Sequence, residues 1–283
     1  MRFLARGFND QGNAASRAGN IPEAERLWKQ AVTVDPKFSA AWFNLGLMAK
    51  KRGEWSECLR CNRAAVQADP KNTGAWWNLG IAATALRRWP EARQAWAAHK
   101  IPIPAGNDEP RAEYGLVPIR LFSSGGMTEV LWGDMIDPAR VRIRNVPRPR
   151  SQYRFGDVVL RDGAPDGERE LEGRKLPIFN VLGVYEASTF GTFVAVLRVG
   201  SGVRENLLPA LQAEGWGFED WSTTRAVVAE GSGAPAADPD LVPPPEGCVR
   251  WAFSAPSEAV LRDWILRQQG GEVVSLETVV PPR

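Results

Sequence analysis

The sequence predicts an α-helical repeat segment over residues 1–104, followed by a half that mixes β-strands with helices. Three observations support this fold class. Small and bulky apolar residues recur at a fixed interval in the first segment. Prolines at positions 102, 104 and 110 then interrupt the helical pattern, and short β-branched runs follow them. A chain of 283 residues is long enough for two or three domains, each with its own core.

The composition is that of an ordinary soluble globular protein, with 44% hydrophobic and 24% charged residues. The chain has no apolar run long enough to span a membrane, and its first residues lack the apolar core of a secretory signal. Only three cysteines are present, Cys58, Cys61 and Cys248. These features predict reduced thiols and a cytoplasmic location, and they argue against membrane-spanning and disulfide-rich secreted classes.

The net charge of +2 hides an asymmetry between the two halves. Residues 1–104 carry 16 lysines and arginines against 8 aspartates and glutamates, whereas the remainder carries 19 against 25. A basic segment joined to an acidic one can attract an acidic partner, or the two halves can attract each other. Charge alone leaves both alternatives open.

Three segments of the N-terminal part align without gaps, beginning 34 residues apart at Ala5, Ser39 and Thr73. They define repeats over residues 5–38, 39–72 and 73–104. The matching positions hold large apolar residues (Phe8, Trp42, Trp76), glycines (Gly12, Gly46, Gly80) and small residues (Ala15, Ala49, Ala83; Ala24, Cys58, Ala92). Small side chains at fixed positions let two helices approach closely, so each segment is predicted to form a helical hairpin.

This interval and this pattern resemble the tetratricopeptide repeat. The resemblance implies three stacked helical hairpins and a non-catalytic scaffold or adaptor that binds a protein or peptide. Three positions depart from the family: Arg87 replaces a turn glycine, Gln11 a leucine and Asn62 an aromatic residue. Because no amphipathic capping helix follows the third repeat, we expect the C-terminal half to cover the last hairpin.

In this family the first helix of each hairpin lines a groove in which peptides lie. By position, the groove residues would be Arg6, Asn9, Asn13 and Arg17, then Phe43, Asn44, Leu47, Lys50 and Lys51, and finally Trp77, Asn78, Ile81 and Thr84. This mixture suits a segment, possibly acidic in character, that carries carboxylates near one apolar anchor. Alternatively, the apolar residues of this set belong to the core of the hairpins, and Lys50 and Lys51 lie at a solvated helix end.

One specific version of this function can be tested on the sequence. Chaperone co-factors of the family hold a C-terminal carboxylate with two lysines, an arginine and two asparagines. Asn13 and Asn44 match the asparagines, whereas Asn9, Gly74 and Asn78 occupy the lysine and arginine positions. Three of the five clamp groups are therefore missing, which argues against a chaperone-tail clamp.

Residues 112–188 are predicted to form a small β-rich domain. Runs at 116–122, 128–135, 140–146, 156–160 and 178–186 are rich in β-branched or alternating apolar residues. Turn-forming residues separate these runs, and the polar stretch 162–173 is interpreted as a turn. Several short strands with such spacing predict a small antiparallel sheet or barrel.

Residues 189–283 are predicted to form a second α+β domain. The pattern is strand 192–199, helix 203–213 and extended chain 217–228, and after a Pro/Ala/Gly loop at 231–247 it continues with strand 248–253, helix 256–269 and strand 272–280. Two strand–helix–strand units joined by a connection predict a ferredoxin-like βαββαβ fold.

A second, looser resemblance covers residues 117–280. Its skeleton comprises Glu129-x-Leu131-Trp132, Arg144-Asn145-Val146-Pro147, Gly156-Asp157-Val158-Val159, Ser188-Thr189-x-Gly191-Thr192 and Leu211-x-x-x-Gly215. This order is similar to that of a small bacterial domain family of unknown function. The resemblance implies a fold and no mechanism.

The residue types needed for catalysis or metal binding are scarce. His99 is the only histidine, so a histidine-based metal site or relay is not expected. Cys58 and Cys61 have redox spacing but stand in mid-helix, where no helix dipole lowers a thiol pKa, so core packing is the better interpretation. We therefore expect no catalytic residue, no metal and no cofactor. An enzyme in the C-terminal half remains open as an alternative.

Nucleic acid is the main rival partner. The segment 140–155 holds Arg140, Arg142, Arg144, Arg148, Arg150 and Tyr153. Arginines and aromatic residues on a small sheet can hold phosphates and stack bases, as many RNA-binding surfaces do. However, arginines that alternate with Val141 and Ile143 on one strand are also typical of a solvated face. Because this half is acidic overall, protein or peptide is the favoured partner.

Overall fold

The computed structural model describes residues 1–110, 112–123, 126–200, 203–222, 227–229, 235–236, 243–268 and 271–283. The chain divides into two compact units. The first consists of Met1–Ala112 with Asp137–Ala139, and the second of Glu113–Ile136 with Arg140–Arg283. A further boundary between residues 188 and 189 stays a prediction, as do the other domain limits.

The described residues of the first unit form three helical hairpins, which confirms the predicted repeat fold. The helices are α1 (Arg2–Arg17), α2 (Ile21–Val34), α3 (Ser39–Lys51), α4 (Trp55–Ala68), α5 (Thr73–Ala85) and α6 (Trp89–Ala98). Gly19 and Gly53 follow the first helices of hairpins 1 and 2 with φ of 79° and 71°. Arg87 takes the same left-handed conformation at φ 57°, so the third turn keeps its geometry without a glycine.

Glycines set the close approach within each hairpin. A Cβ on Gly12 would lie 2.6 Å from Trp28 Nε1, and one on Gly80 would lie 2.6 Å from the Trp96 ring. In the second hairpin Asn62 occupies the corresponding place against Gly46. Asn62 is fully buried, and its Nδ2 donates to the Cys58 carbonyl at 2.8 Å. The departure at Asn62 therefore replaces an indole ring with a hydrogen-bonded amide.

Cys58 and Cys61 lie inside the helical layer, with no exposed surface. Burial, the largest cause, and the Glu57 carboxylate together raise the pKa of Cys61 to about 12. The Cys61 thiol is therefore protonated at neutral pH. This environment agrees with the core-packing interpretation of the cysteine pair and is unlike that of a reactive thiol.

In the second unit, five strands close into a small barrel. They are β1 (Leu116–Phe122), β2 (Met127–Met135), β3 (Arg140–Ile143), β4 (Val158–Leu171) and β5 (Arg174–Glu186). Consecutive strands pair antiparallel, and β1 also pairs parallel with β5 through Ile119 and Phe179, which closes the ring. The core is apolar and includes Val117, Ile119, Leu121, Leu131, Val141, Ile143, Val159 and Val181.

The turn predicted over residues 162–173 is wrong. The strands β4 and β5 continue through most of this stretch as an extended hairpin that turns at Glu172 and Gly173. Register shifts between Arg161 and Glu168 interrupt the ladder, so the hairpin bends. A solvated hairpin buries little side-chain surface, so its sequence can be polar throughout and lacks the apolar alternation that marks a strand.

Four further strands and two helices lie in the described part of the second unit: β6 (Gly191–Arg198), α7 (Val203–Glu214), β7 (Gly217–Asp220), β10 (Val249–Ala255), α8 (Glu258–Arg267) and β11 (Glu272–Val280). These four strands form an antiparallel sheet with the order β11-β6-β10-β7. This is the βαββαβ order predicted from the sequence. The two helices cover one face, where Trp251, Phe253, Leu261 and Trp264 are buried.

Two short strands interrupt this order. The strands β8 (Val227–Ala229) and β9 (Pro235–Ala236) pair with each other, and β8 also pairs with β2. The predicted loop at 231–247 falls largely on residues 231–234 and 237–242, which lie outside the described residues.

Candidate functional site

The first helices of the three hairpins lie side by side. Asn44 Nδ2 on α3 donates to Asn9 Oδ1 at 3.1 Å and to Asn13 Oδ1 at 2.9 Å, both on α1. On the other side of α3, a Cβ on Gly74 of α5 would lie 2.9 Å from the Phe43 ring. Residues from all three helices therefore face one continuous layer, which we call the first-helix surface.

The predicted groove residues on this surface differ widely in exposure. Three charged residues are exposed: Arg6, Arg17 and Lys51. Five residues are half-buried: Asn13, Phe43, Asn44, Leu47 and Trp77. The other five are buried: Asn9, Lys50, Asn78, Ile81 and Thr84. The accessible part of the surface is thus carried mainly by α1 and α3.

Ile81 and Thr84 on α5 have no exposed surface in the structure. A signal for this burial was present in the sequence, because α5 contains no charged residue from Thr73 to Ala85. A helix that is apolar around its whole circumference is usually buried on all sides. Lys50 is also buried, at 5% exposure, and so it is not part of a solvated helix end. Contacts of these residues with a ligand stay a prediction.

The asparagines form a hydrogen-bonded cluster made of Asn9, Asn13 and Asn44. Trp28 Nε1 donates to Asn13 Oδ1 at 3.1 Å, so this oxygen receives two donors. Within the described part of the chain, Asn13 Nδ2 and Asn44 Oδ1 have no hydrogen-bond partner. The cluster therefore fixes its side chains while leaving one donor and one acceptor at a half-buried position.

Trp77 and His99 belong to the packing of the third hairpin. The Trp77 ring meets the Trp96 ring edge-on with centroids 5.2 Å apart, and it meets the His99 ring in the same way at 4.8 Å. His99 Nε2 lies 3.1 Å from the Thr73 carbonyl oxygen. These contacts give His99, which directly follows α6, a structural role.

The six residues of the alternative nucleic-acid patch lie in different environments. Arg140 was predicted on a wet strand face, but it is 2% exposed and its guanidinium lies over the Tyr185 ring at 5.2 Å. Arg148 is also buried, 4.3 Å from the centroid of the Trp221 ring. Exposure is retained by Arg142, Arg144 and Arg150, while Tyr153 is half-buried against the barrel core. Arg140 and Arg148 are thus buried in cation–π contacts and are not available to a ligand. The geometry of the remaining patch does not favour nucleic acid.

Two features of the described residues bear on other functional classes. No helix among them has the length and apolar character to cross a membrane. In the same part of the chain, no group of three or more histidine, cysteine, aspartate or glutamate side chains is placed to hold a metal ion.

Comparison with known proteins identifies the helical segment. Residues 9–57 and 49–106 match the sequence profile of the tetratricopeptide repeat. The N-terminal hairpins are tetratricopeptide repeats. No similar protein was found among curated proteins.

Similar solved structures include two tetratricopeptide-repeat domains of Spaghetti (RPAP3) bound to the HSP90 peptide SRMEEVD. The second domain is 21% identical, and the match covers 34% of this chain and 84% of that one, with a TM-score of 0.32. The first domain is 19% identical, with 35% and 78% covered and the same TM-score.

Proposed function

We propose that the tetratricopeptide repeats bind an acidic, extended protein segment on the part of the first-helix surface that α1 and α3 carry. The observation that supports this proposal is that Arg6, Arg17 and Lys51 are exposed on the same two helices that carry half-buried Phe43 and Leu47. The apolar pair would receive one anchor side chain, and the cations would pair with carboxylates on either side of it.

The spacing of the two arginines sets the spacing of the ligand's carboxylates. Arg6 and Arg17 are eleven residues apart on α1. An α-helix rises 1.5 Å per residue, so their Cα atoms are separated by roughly 16 Å along the helix axis. An extended segment rises about 3.3 Å per residue. It would therefore place acidic side chains about five residues apart to reach both guanidinium groups.

The asparagine cluster adds a site for the backbone of such a segment. Asn13 Nδ2 can donate to a peptide carbonyl, and Asn44 Oδ1 can accept from a peptide N–H. Because Asn9 and Trp28 already hold these side chains, little rotamer freedom would be lost on binding. Backbone contacts of this type are independent of sequence, so specificity would come from the cations and the apolar pair.

Charge reversal on the accessible surface tests the proposal. The probe is a panel of fluorescent peptides with one leucine or phenylalanine flanked by two glutamates five residues apart, and matched peptides with glutamine in their place. Anisotropy is expected to show binding only for the acidic set. The double variant Arg6→Glu/Arg17→Glu should weaken this binding at least tenfold, since both ion pairs with the two glutamates become repulsive. Lys50 is left unchanged because its burial would confuse binding with folding.

The matched control is Lys29→Glu/Lys71→Glu, which makes the same change in net charge at exposed positions on α2 and in the turn before α5. Its affinity should fall less than twofold at physiological salt, where distant surface charges are screened. Equal losses in both variants would indicate a general field effect. The proposal is wrong if the acidic and glutamine peptides bind alike.

A further inference from the structure

The second unit contains a cleft of about 520 Å³ near the junction of the barrel and the four-stranded sheet. Its lining comprises Asp134, Arg142, Ile143, Arg144, Phe155, Gly156, Glu186, Ala187, Ser188, Thr189, Phe190 and Gly215. This volume is within the range of small-molecule sites in proteins. The cleft is remote in sequence from the tetratricopeptide repeats, and its function is a separate question.

A buried carboxylate fixes one wall of this cleft. Asp157 is fully buried, and it accepts hydrogen bonds from the backbone N–H groups of Arg154 and Ser188 at 2.8 and 2.7 Å. Its Oδ1 also accepts from Arg283 Nη1 at 3.0 Å. Next to it Gly156 has φ 82°, and a Cβ there would lie 3.2 Å from Ser188 Oγ. The wall is therefore held in one conformation without a ligand.

Two aromatic rings provide the apolar part of the lining. Phe155 and Phe190 are half-buried and stack with ring centroids 6.1 Å apart and an interplanar angle of 24°. Phe155 is backed by Gly217, where a Cβ would lie 2.6 Å from the ring. A partly exposed, supported aromatic pair can take an apolar side chain from a ligand.

The cleft is lined by two acidic residues and two arginines, but only one of each forms an ion pair. Asp134 and Arg144 form an ion pair at 3.4 Å. Arg142 and Glu186 are both exposed in the same cleft, and neither side chain forms an ion pair or hydrogen bond within the described residues. The cleft thus presents one unpaired guanidinium and one unpaired carboxylate. This neutral total disfavours a polyanion such as nucleic acid.

From this arrangement we infer that the cleft binds a free α-amino acid with an apolar side chain. The ligand's carboxylate would pair with Arg142, its ammonium group with Glu186, and its side chain would contact Phe155 and Phe190. Such a zwitterion satisfies both unpaired charges at once and covers the exposed aromatic surface. An anion or a cation alone would satisfy only one of them.

The test is a titration of the full chain with L-phenylalanine and L-leucine, followed by calorimetry or ligand-observed NMR. Both amino acids are expected to bind saturably. N-acetyl-L-phenylalanine lacks the ammonium charge and phenethylamine lacks the carboxylate, so each should bind at least tenfold more weakly. Arg142→Gln and Glu186→Gln should each reduce phenylalanine affinity at least tenfold without a change in melting temperature, because both side chains are exposed.

Arg174→Gln and Glu172→Gln serve as matched controls, since both residues are exposed near the tip of the β4–β5 hairpin and do not line the cleft. Their affinities for phenylalanine should equal that of the unchanged protein. Absence of binding at millimolar amino acid would overturn the inference. So would equal binding of the blocked analogues, or equal effects of the cleft and control variants.

Discussion

Replacing Asp157 with alanine is expected to lower the free energy of unfolding of the second unit by about 3 kcal/mol. The substitution removes the acceptor of the buried Arg154 N–H and of the half-buried Ser188 N–H, and the partner of the Arg283 guanidinium. Each buried donor left without an acceptor costs about 1–3 kcal/mol. Urea unfolding followed by tryptophan fluorescence measures the loss.

Asp134→Ala is the matched control for this prediction. Asp134 also pairs with an arginine, Arg144, but both side chains are about half exposed. Exposed ion pairs contribute about 0–1 kcal/mol, so this variant should unfold almost like the unchanged protein. Equal losses for Asp157→Ala and Asp134→Ala would show that the buried network around Asp157 does not stabilise the fold.

Replacing Gly12 with alanine is expected to destabilise the first hairpin by about 2 kcal/mol. The added Cβ would lie 2.6 Å from Trp28 Nε1 and 3.2 Å from the Ala24 carbonyl oxygen, so the helices must move apart. Gly80→Ala should have a similar effect, because Trp96 is rigid and only 1% exposed. Urea unfolding followed by circular dichroism at the helical minimum reports this change.

Gly7→Ala provides the control in the same helix as Gly12. A Cβ on Gly7 would meet no atom within 4 Å. Alanine has the higher helix propensity by up to about 1 kcal/mol, so this variant should be as stable as the unchanged protein or slightly more so. If Gly12→Ala and Gly7→Ala behave alike, the close helix approach does not depend on the missing side chain.

The hairpins could be predicted from sequence because their determinants are local and repeated. Each glycine stands a fixed distance from the residue that it contacts, as in the pairs Gly12–Trp28 and Gly80–Trp96. Because the repeat recurs every 34 residues, the same spacing appears three times in the chain. The strand–helix–strand order of the last hundred residues was also local enough to predict, and β11 has the predicted bounds, Glu272–Val280.

Features that depend on contacts between residues distant in the chain could not be predicted from the sequence. Arg140 looks solvated beside Arg142, but Tyr185 in another strand provides a ring on which it is buried. The cleft combines residues 134, 142–144, 155–156, 186–190 and 215, which only the closed barrel and the following sheet bring together. The burial of Ile81 could have been suspected from the uncharged sequence of α5, but its groove position alone suggested access.

Photo-crosslinking tests most directly where the repeats bind their partner. An acidic peptide from the panel would carry a photoreactive group at its apolar position, and labelled residues of the full chain would be located by mass spectrometry. If the first-helix surface binds the anchor as proposed, label appears on α3 at or beside Phe43 and Leu47, and excess unlabelled peptide abolishes it. Label confined to the second helices of the hairpins, or to residues 113–283, would contradict the proposed binding surface.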